Sequence, residues 1–110
     1  MYLSNINTIS LTRLHSDFYE CTSLTSVDFH NFYSPKLWPL ELTFKNCFSL
    51  KEVDFTYFYT ESLMYLGHTF YNCNSLKLIE INSFNATSTT YAYYMFYNCT
   101  SLTSVNFPKK

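Results

Sequence analysis

Apolar residues recur along this chain at a spacing too long for any single helix or strand. Phe18, Phe44, Phe70 and Phe96 follow one another at a constant interval, and Cys21, Cys47, Cys73 and Cys99 keep the same interval. A serine column (Ser23, Ser49, Ser75, Ser101) stays in register with both. Each motif runs into an apolar pattern, L-x-x-V-x-F: Leu24/Val27/Phe29, Leu50/Val53/Phe55, Leu76/Ile79/Ile81 and Leu102/Val105/Phe107. Its last three residues alternate apolar, polar, apolar, the period of a strand with one buried face. The pattern therefore predicts strands at about 24–29, 50–55, 76–81 and 102–107, with a partial first strand near 1–4.

A unit this short cannot bury its apolar edge alone, but stacked equivalent units can, each strand lying parallel to the one before. The expected fold is a repeat solenoid, a leucine-rich-repeat-like coil of parallel β-strands. Residues 1–110 then form one domain of four 26-residue repeats with a partial repeat at the N-terminus. Phe32, Phe58 and Phe84 continue the core as the chain leaves each strand. Phe and Cys three apart predict a tight turn or one helical turn that points both inward. The return segments are expected to be short extended or helical pieces. Pro35 and Pro39 fall there, where a missing backbone donor is tolerated, and no predicted strand contains an internal proline. Stacked amphipathic helix pairs would require apolar residues at i, i+3, i+4 and i+7 over ten or more positions, which the Ser-, Thr- and Asn-rich runs do not supply.

Composition narrows the chemistry. Charged residues make up 14% and the formal net charge is -1, so no basic face is available for nucleic acid or an anionic membrane. With 11 Phe and 11 Tyr, the core must be packed largely from rings. One glycine, Gly67, cannot build a phosphate-cradling loop. No apolar run is long enough to span a bilayer, and no signal peptide is visible in the opening residues.

The four cysteines invite a zinc reading, but zinc motifs bring two ligands close together in sequence, whereas these stand a whole repeat apart. A rising column of sulfurs does not converge on one ion. A disulfide between neighbouring coils meets parallel Cβ vectors, so buried free thiols are the expectation. His15, His30 and His68 fall in different columns with no nucleophile recurring beside them, and the serines are expected to cap turn groups. Neither catalytic residues, nor a cofactor site, nor a metal site is expected. Two glycosylation sequons occur: Asn98-Cys99-Thr100, expected to be too buried in the motif turn, and Asn85-Ala86-Thr87, whose Asn85 is the acceptor candidate.

The segments Leu-Gly-His-Thr-Phe-Tyr-Asn-Cys-Asn-Ser-Leu-Lys (66–77) and Met-Phe-Tyr-Asn-Cys-Thr-Ser-Leu-Thr-Ser-Val-Asn-Phe-Pro (95–108) resemble the BspA-type, or Treponema pallidum-type, leucine-rich repeat. That unit reads roughly I-G-x-x-A-F-x-x-C-x-S-L-x-x-I-x-I-P, and the likeness covers essentially the whole chain. It implies a right-handed solenoid and a role in surface display, adhesion or binding of host proteins in bacteria and protists. The chain departs from the pattern in its 26-residue unit, where about 23 is commoner, and in using Phe at many aliphatic positions.

With the apolar strand residues inward, the alternate positions form an exposed sheet face. Its candidate binding residues are Asp28, His30, Glu52, Asp54, Glu80 and Asn106, with Asp28, Asp54, Glu80 and Asn106 in one column. Neighbouring like charges repel and would be relieved by a basic partner. The expected function is a non-catalytic surface for protein–protein interaction or adhesion, at the cell surface or outside the cell. The partner would be a host or surface protein, with no nucleic acid and no membrane insertion. The alternative is a structural protein that stacks head-to-tail on copies of itself through its ends, Leu3 at one and Val105 and Phe107 at the other.

Overall fold

The computed structural model describes residues 10–14, 18–58, 60, 65–80 and 92–106. Its four strands are β1 (Ser26–Asp28), β2 (Glu52–Asp54), β3 (Leu78–Glu80) and β4 (Ser104–Asn106). They form one parallel sheet in chain order, and Val27, Val53, Ile79 and Val105 align across it. The register is set by the repeat itself, because a shift of one residue would turn each of these side chains out to solvent. The predicted first strand near 1–4 lies outside the described residues.

The strands are shorter than the alternation predicts because a turn closes on each side. The amide of Leu24 donates to Cys21 (3.1 Å), and that of Phe32 to Phe29 (2.9 Å). Pairing between coils nevertheless continues beyond the strands. Phe29 donates to Asp54 (2.8 Å), Asn31 to Thr56 (3.0 Å) and Lys51 to Thr25 (2.9 Å).

The described parts of the return segments are turns and irregular chain, with no helix among the described residues. A second parallel contact joins Pro39 to Tyr65. Leu40 donates to Tyr65 (2.9 Å) and Tyr65 to Trp38 (3.2 Å), so the bonding pattern never calls on the donor that Pro39 lacks. Buried hydroxyls reinforce this side. Thr69 donates to the carbonyls of Leu40 (3.0 Å) and Leu66 (2.7 Å), Thr60 to that of Leu37 (2.7 Å), and Thr43 to those of Leu14 and Leu40.

The Phe-x-x-Cys motif is a tight turn in every coil, Cys47 donating to Phe44 (3.1 Å) and Cys73 to Phe70 (3.0 Å). Its third residue has positive φ, 63° at Asn46, 62° at Asn72 and 59° at Asn98. Asparagine tolerates that region better than most side chains, which accounts for its place before the cysteine. The amides then form a ladder of their own: Asn98 donates to Asn72 (3.1 Å) and Asn72 to Asn46 (2.9 Å).

The core is a set of ring columns. Phe18, Phe44, Phe70 and Phe96 stack in sequence at 5.3, 5.4 and 5.7 Å. Phe29 stacks on Phe55 and Phe32 on Phe58, while the two columns meet edge-to-face at 5.1–5.2 Å. Offset and edge contacts of this kind add to the stabilisation from burial alone.

The cysteines are free thiols, Cys47 and Cys73 buried and Cys21 and Cys99 half-buried at the outer coils. Each of three donates to a carbonyl one coil back: Cys47 to Phe18 (2.9 Å), Cys73 to Phe44 (3.0 Å) and Cys99 to Phe70 (3.0 Å). Burial pushes Cys47 and Cys99 up to about 11 and Cys73 higher still. A thiol raised in the folded state stabilises the fold below its ordinary value of 9.0 and loses that contribution as pH rises through about 11. Stability is therefore expected to decline across pH 9–11 in denaturant titrations. Mass-resolved alkylation of the native protein at pH 8 should modify Cys21 and Cys99 well before Cys47 and Cys73. Simultaneous labelling of all four would contradict the buried column.

Candidate functional site

The strand residues that alternate with the buried valines face outward over an open depression of about 890 Å³. Asp28, Lys51, Glu52, Asp54, Lys77 and Leu78 are among the residues that line it. Of the predicted face, Asp28, Glu52 and Asp54 come together here, with Asp28 paired in register to Asp54 and Ser26 to Glu52. Glu80 pairs with Asn106 in backbone register at the other end of the sheet. His30 lies beyond β1, its ring 5.8 Å from that of Tyr57.

The acidic column also serves the backbone. One carboxylate oxygen of Asp28 accepts the amide of His30 (2.8 Å), and that of Asp54 accepts the amide of Thr56 (2.8 Å). These side chains pin the turn that leaves each strand, as Asp commonly does. The Thr56 hydroxyl is the main cause that holds the Asp54 carboxyl below the usual carboxylate range, with the Thr56 amide and His30 adding to it against partial desolvation. Repulsion between the paired carboxylates is thus offset by local donors, and Asp54 stays ionised and exposed. Asp54→Asn keeps an acceptor for Thr56 and should change stability by less than about 0.5 kcal/mol, whereas Asp54→Ala should cost up to about 1 kcal/mol in thermal melts.

The sequence reading missed the two lysines that flank this face, while Leu78 is exposed on it as the strand alternation predicts. The signal was available: Lys51 and Lys77 occupy the same place in successive repeats, directly before their strand patterns. A second group, His68, Tyr71, Tyr93, Tyr94 and Tyr97, has rings that touch in series, with Tyr93, Tyr94 and Tyr97 exposed; its assembly across two coils was not read from the sequence.

Other predicted positions resolve differently. Asn98 is exposed rather than buried, but its amide nitrogen, the atom that glycosylation modifies, donates to Asn72. The hydroxyl of Ser101 donates to Asn74 of the preceding coil (2.7 Å), tying two coils instead of capping its own turn. Val105 is half-buried on the last strand. Asn85, Leu3 and Phe107 lie outside the described residues. Among the described residues no three His, Cys, Asp or Glu side chains converge as metal ligands, and no helix is long and apolar enough to cross a membrane.

The family model described as the BspA type leucine rich repeat region matches residues 2–110, in 6 copies. No curated protein and no solved structure matches the chain.

Proposed function

Because the chain belongs to the BspA type leucine rich repeat family, we propose that it is a non-catalytic recognition module whose sheet face holds another protein. The observation that supports this reading is the depression over the sheet. Side chains of both signs, Asp28, Glu52 and Asp54 beside Lys51 and Lys77, stand around the exposed Leu78 on a hydrogen-bonded parallel sheet. Such a surface offers an apolar contact within a charged rim, the arrangement common at the centre of protein interfaces. A partner with an apolar side chain flanked by basic and acidic groups would satisfy it. Adhesion at a microbial cell surface is the setting the family suggests.

The test is binding of an array of host-surface and extracellular-matrix proteins to the chain and to a Glu52→Lys/Leu78→Asp variant. Both positions are exposed, so the variant should fold with an unchanged melting curve and lose at least tenfold in affinity. Equal binding by the chain and its variant would remove the sheet face from the reading.

Head-to-tail assembly is the second reading, favoured by the outer rungs. Phe18, Cys21 and Leu24 at one side and Phe96, Cys99, Leu102 and Val105 at the other are only partly buried, while their equivalents in the inner coils are buried. Light scattering over a concentration series decides between them. A species that stays monomeric at high concentration excludes the filament, and growth abolished by Leu3→Lys and Phe107→Lys supports it.

A further inference from the structure

A second surface, apart from the sheet face, is built on the corner where the Phe-x-x-Cys turns line up. The outward column there is Tyr19, Lys45, Tyr71 and Tyr97, and beside it stand His68, Tyr93 and Tyr94. Tyr71 and Tyr97 stack at 4.7 Å, and His68 lies 5.3–5.5 Å from Tyr71, Tyr93 and Tyr94. Tyr94 stands nearly perpendicular to both Tyr93 (88°) and Tyr97 (89°). Tyr93, Tyr94 and Tyr97 remain 52%, 60% and 50% exposed, and none of the three belongs to the buried core.

The local sequence accommodates one of these rings directly. Gly67, the single glycine, makes room for Tyr93: a Cβ at that position would stand 3.3 Å from the ring. Tyr94 holds a positive φ of 54°, as His68 (59°) and Leu42 (63°) do at the same place in the two preceding repeats, so the turn that presents it belongs to the repeat.

What the rings bind is indicated by the chain itself. The ammonium of Lys45 lies over the face of Tyr71, 4.8 Å from the centroid, with Tyr19 on its other side at 6.0 Å. The face of a tyrosine ring is electron-rich and attracts a cation. One face in the column is thus already used for that purpose, and the neighbouring rings of Tyr94 and Tyr97 present the same chemistry to solvent.

The available area limits the occupant. Three half-exposed rings offer on the order of 300 Å², well below the roughly 800 Å² that each partner gives to a standard protein interface. The site suits one side chain more than a whole docking face. We propose that this tyrosine corner captures a single cationic side chain, arginine above all, presented by a partner protein. The planar guanidinium stacks on one ring while the perpendicular neighbour bounds it.

The test uses the full chain with ¹³C-labelled tyrosine rings, titrated at constant ionic strength with three peptides, Gly-Gly-Arg-Gly-Gly and its citrulline and glutamate counterparts. Citrulline keeps the shape of arginine and removes its charge. The arginine peptide should move the ring signals of Tyr94 and Tyr97 with an affinity about threefold or more above that of the citrulline peptide. Tyr94→Phe should retain the effect and Tyr94→Leu lose it. Leucine is compatible with the backbone there, since Leu42 holds the equivalent position two coils earlier with φ of 63°. Lys45→Gln, which removes the resident cation, should strengthen arginine binding. Equal binding of citrulline, preference for glutamate, indifference to Tyr94→Leu, or ring signals that none of the peptides moves would each overturn the proposal.

Discussion

Replacing Phe70 with alanine is expected to cost about 3–5 kcal/mol, the range for emptying a buried aromatic site. Phe70 has no exposed surface and stacks between Phe44 at 5.4 Å and Phe96 at 5.7 Å, with the edge of Phe55 against it at 6.3 Å. The loss therefore falls on three ring contacts as well as on burial. Stability in a solenoid is close to a sum of coil and interface terms, so a void at a middle rung weakens both of its interfaces. The same change at Phe96, half-buried on an outer rung, should cost markedly less. Urea titrations of both variants supply the comparison. Equal losses would mean that the phenylalanine column is not the continuous core described above.

The second large effect is expected at Asn72, which serves the fold in two separable ways. Its φ of 62° is unfavourable for most L-residues, and its amide both donates to Asn46 and accepts from Asn98. Asn72→Ala loses both and should cost about 2–5 kcal/mol, from a left-handed penalty of about 1–2 kcal/mol and two hydrogen bonds of about 0.5–1.5 kcal/mol each. Asn72→Gly removes only the ladder, because glycine adopts positive φ without strain, and should cost about half as much. If glycine proved as damaging as alanine in denaturant titrations, the backbone would contribute little and the amide ladder nearly everything. A neutral glycine variant would show the reverse.

The two sites differ in how openly the sequence announces them. Phe70 stands in a column that recurs once per repeat, and its inward direction follows from that period and from the turn that ends at Cys73. Asn72 also repeats, in Asn46 and Asn98, yet its ladder could not be read from spacing alone. Side-chain amides bond to each other only when neighbouring coils stand at the right separation and tilt, which are properties of the stack. The sheet face shows the same division. Alternation places Asp28 and Asp54 outside, and it does not reveal that their carboxylates are held by the amides of His30 and Thr56.

The sequence by itself determined the repeat, the family to which it belongs, the parallel order of the strands and the residues that point inward. It could do so because burial is imposed coil after coil at fixed positions, and a periodic constraint leaves a periodic trace. Strand length, the turns in the described parts of the return segments and the tyrosine corner were decided only in three dimensions. Leu24 and Phe32 each close a turn that cuts a strand short, and Tyr93 reaches its seat because Gly67, at the same place in the preceding repeat, leaves space one coil below. The turns depend on backbone bonds within a coil and the tyrosine corner on contacts between unlike residues in adjacent coils, neither of which a single column of the repeat encodes.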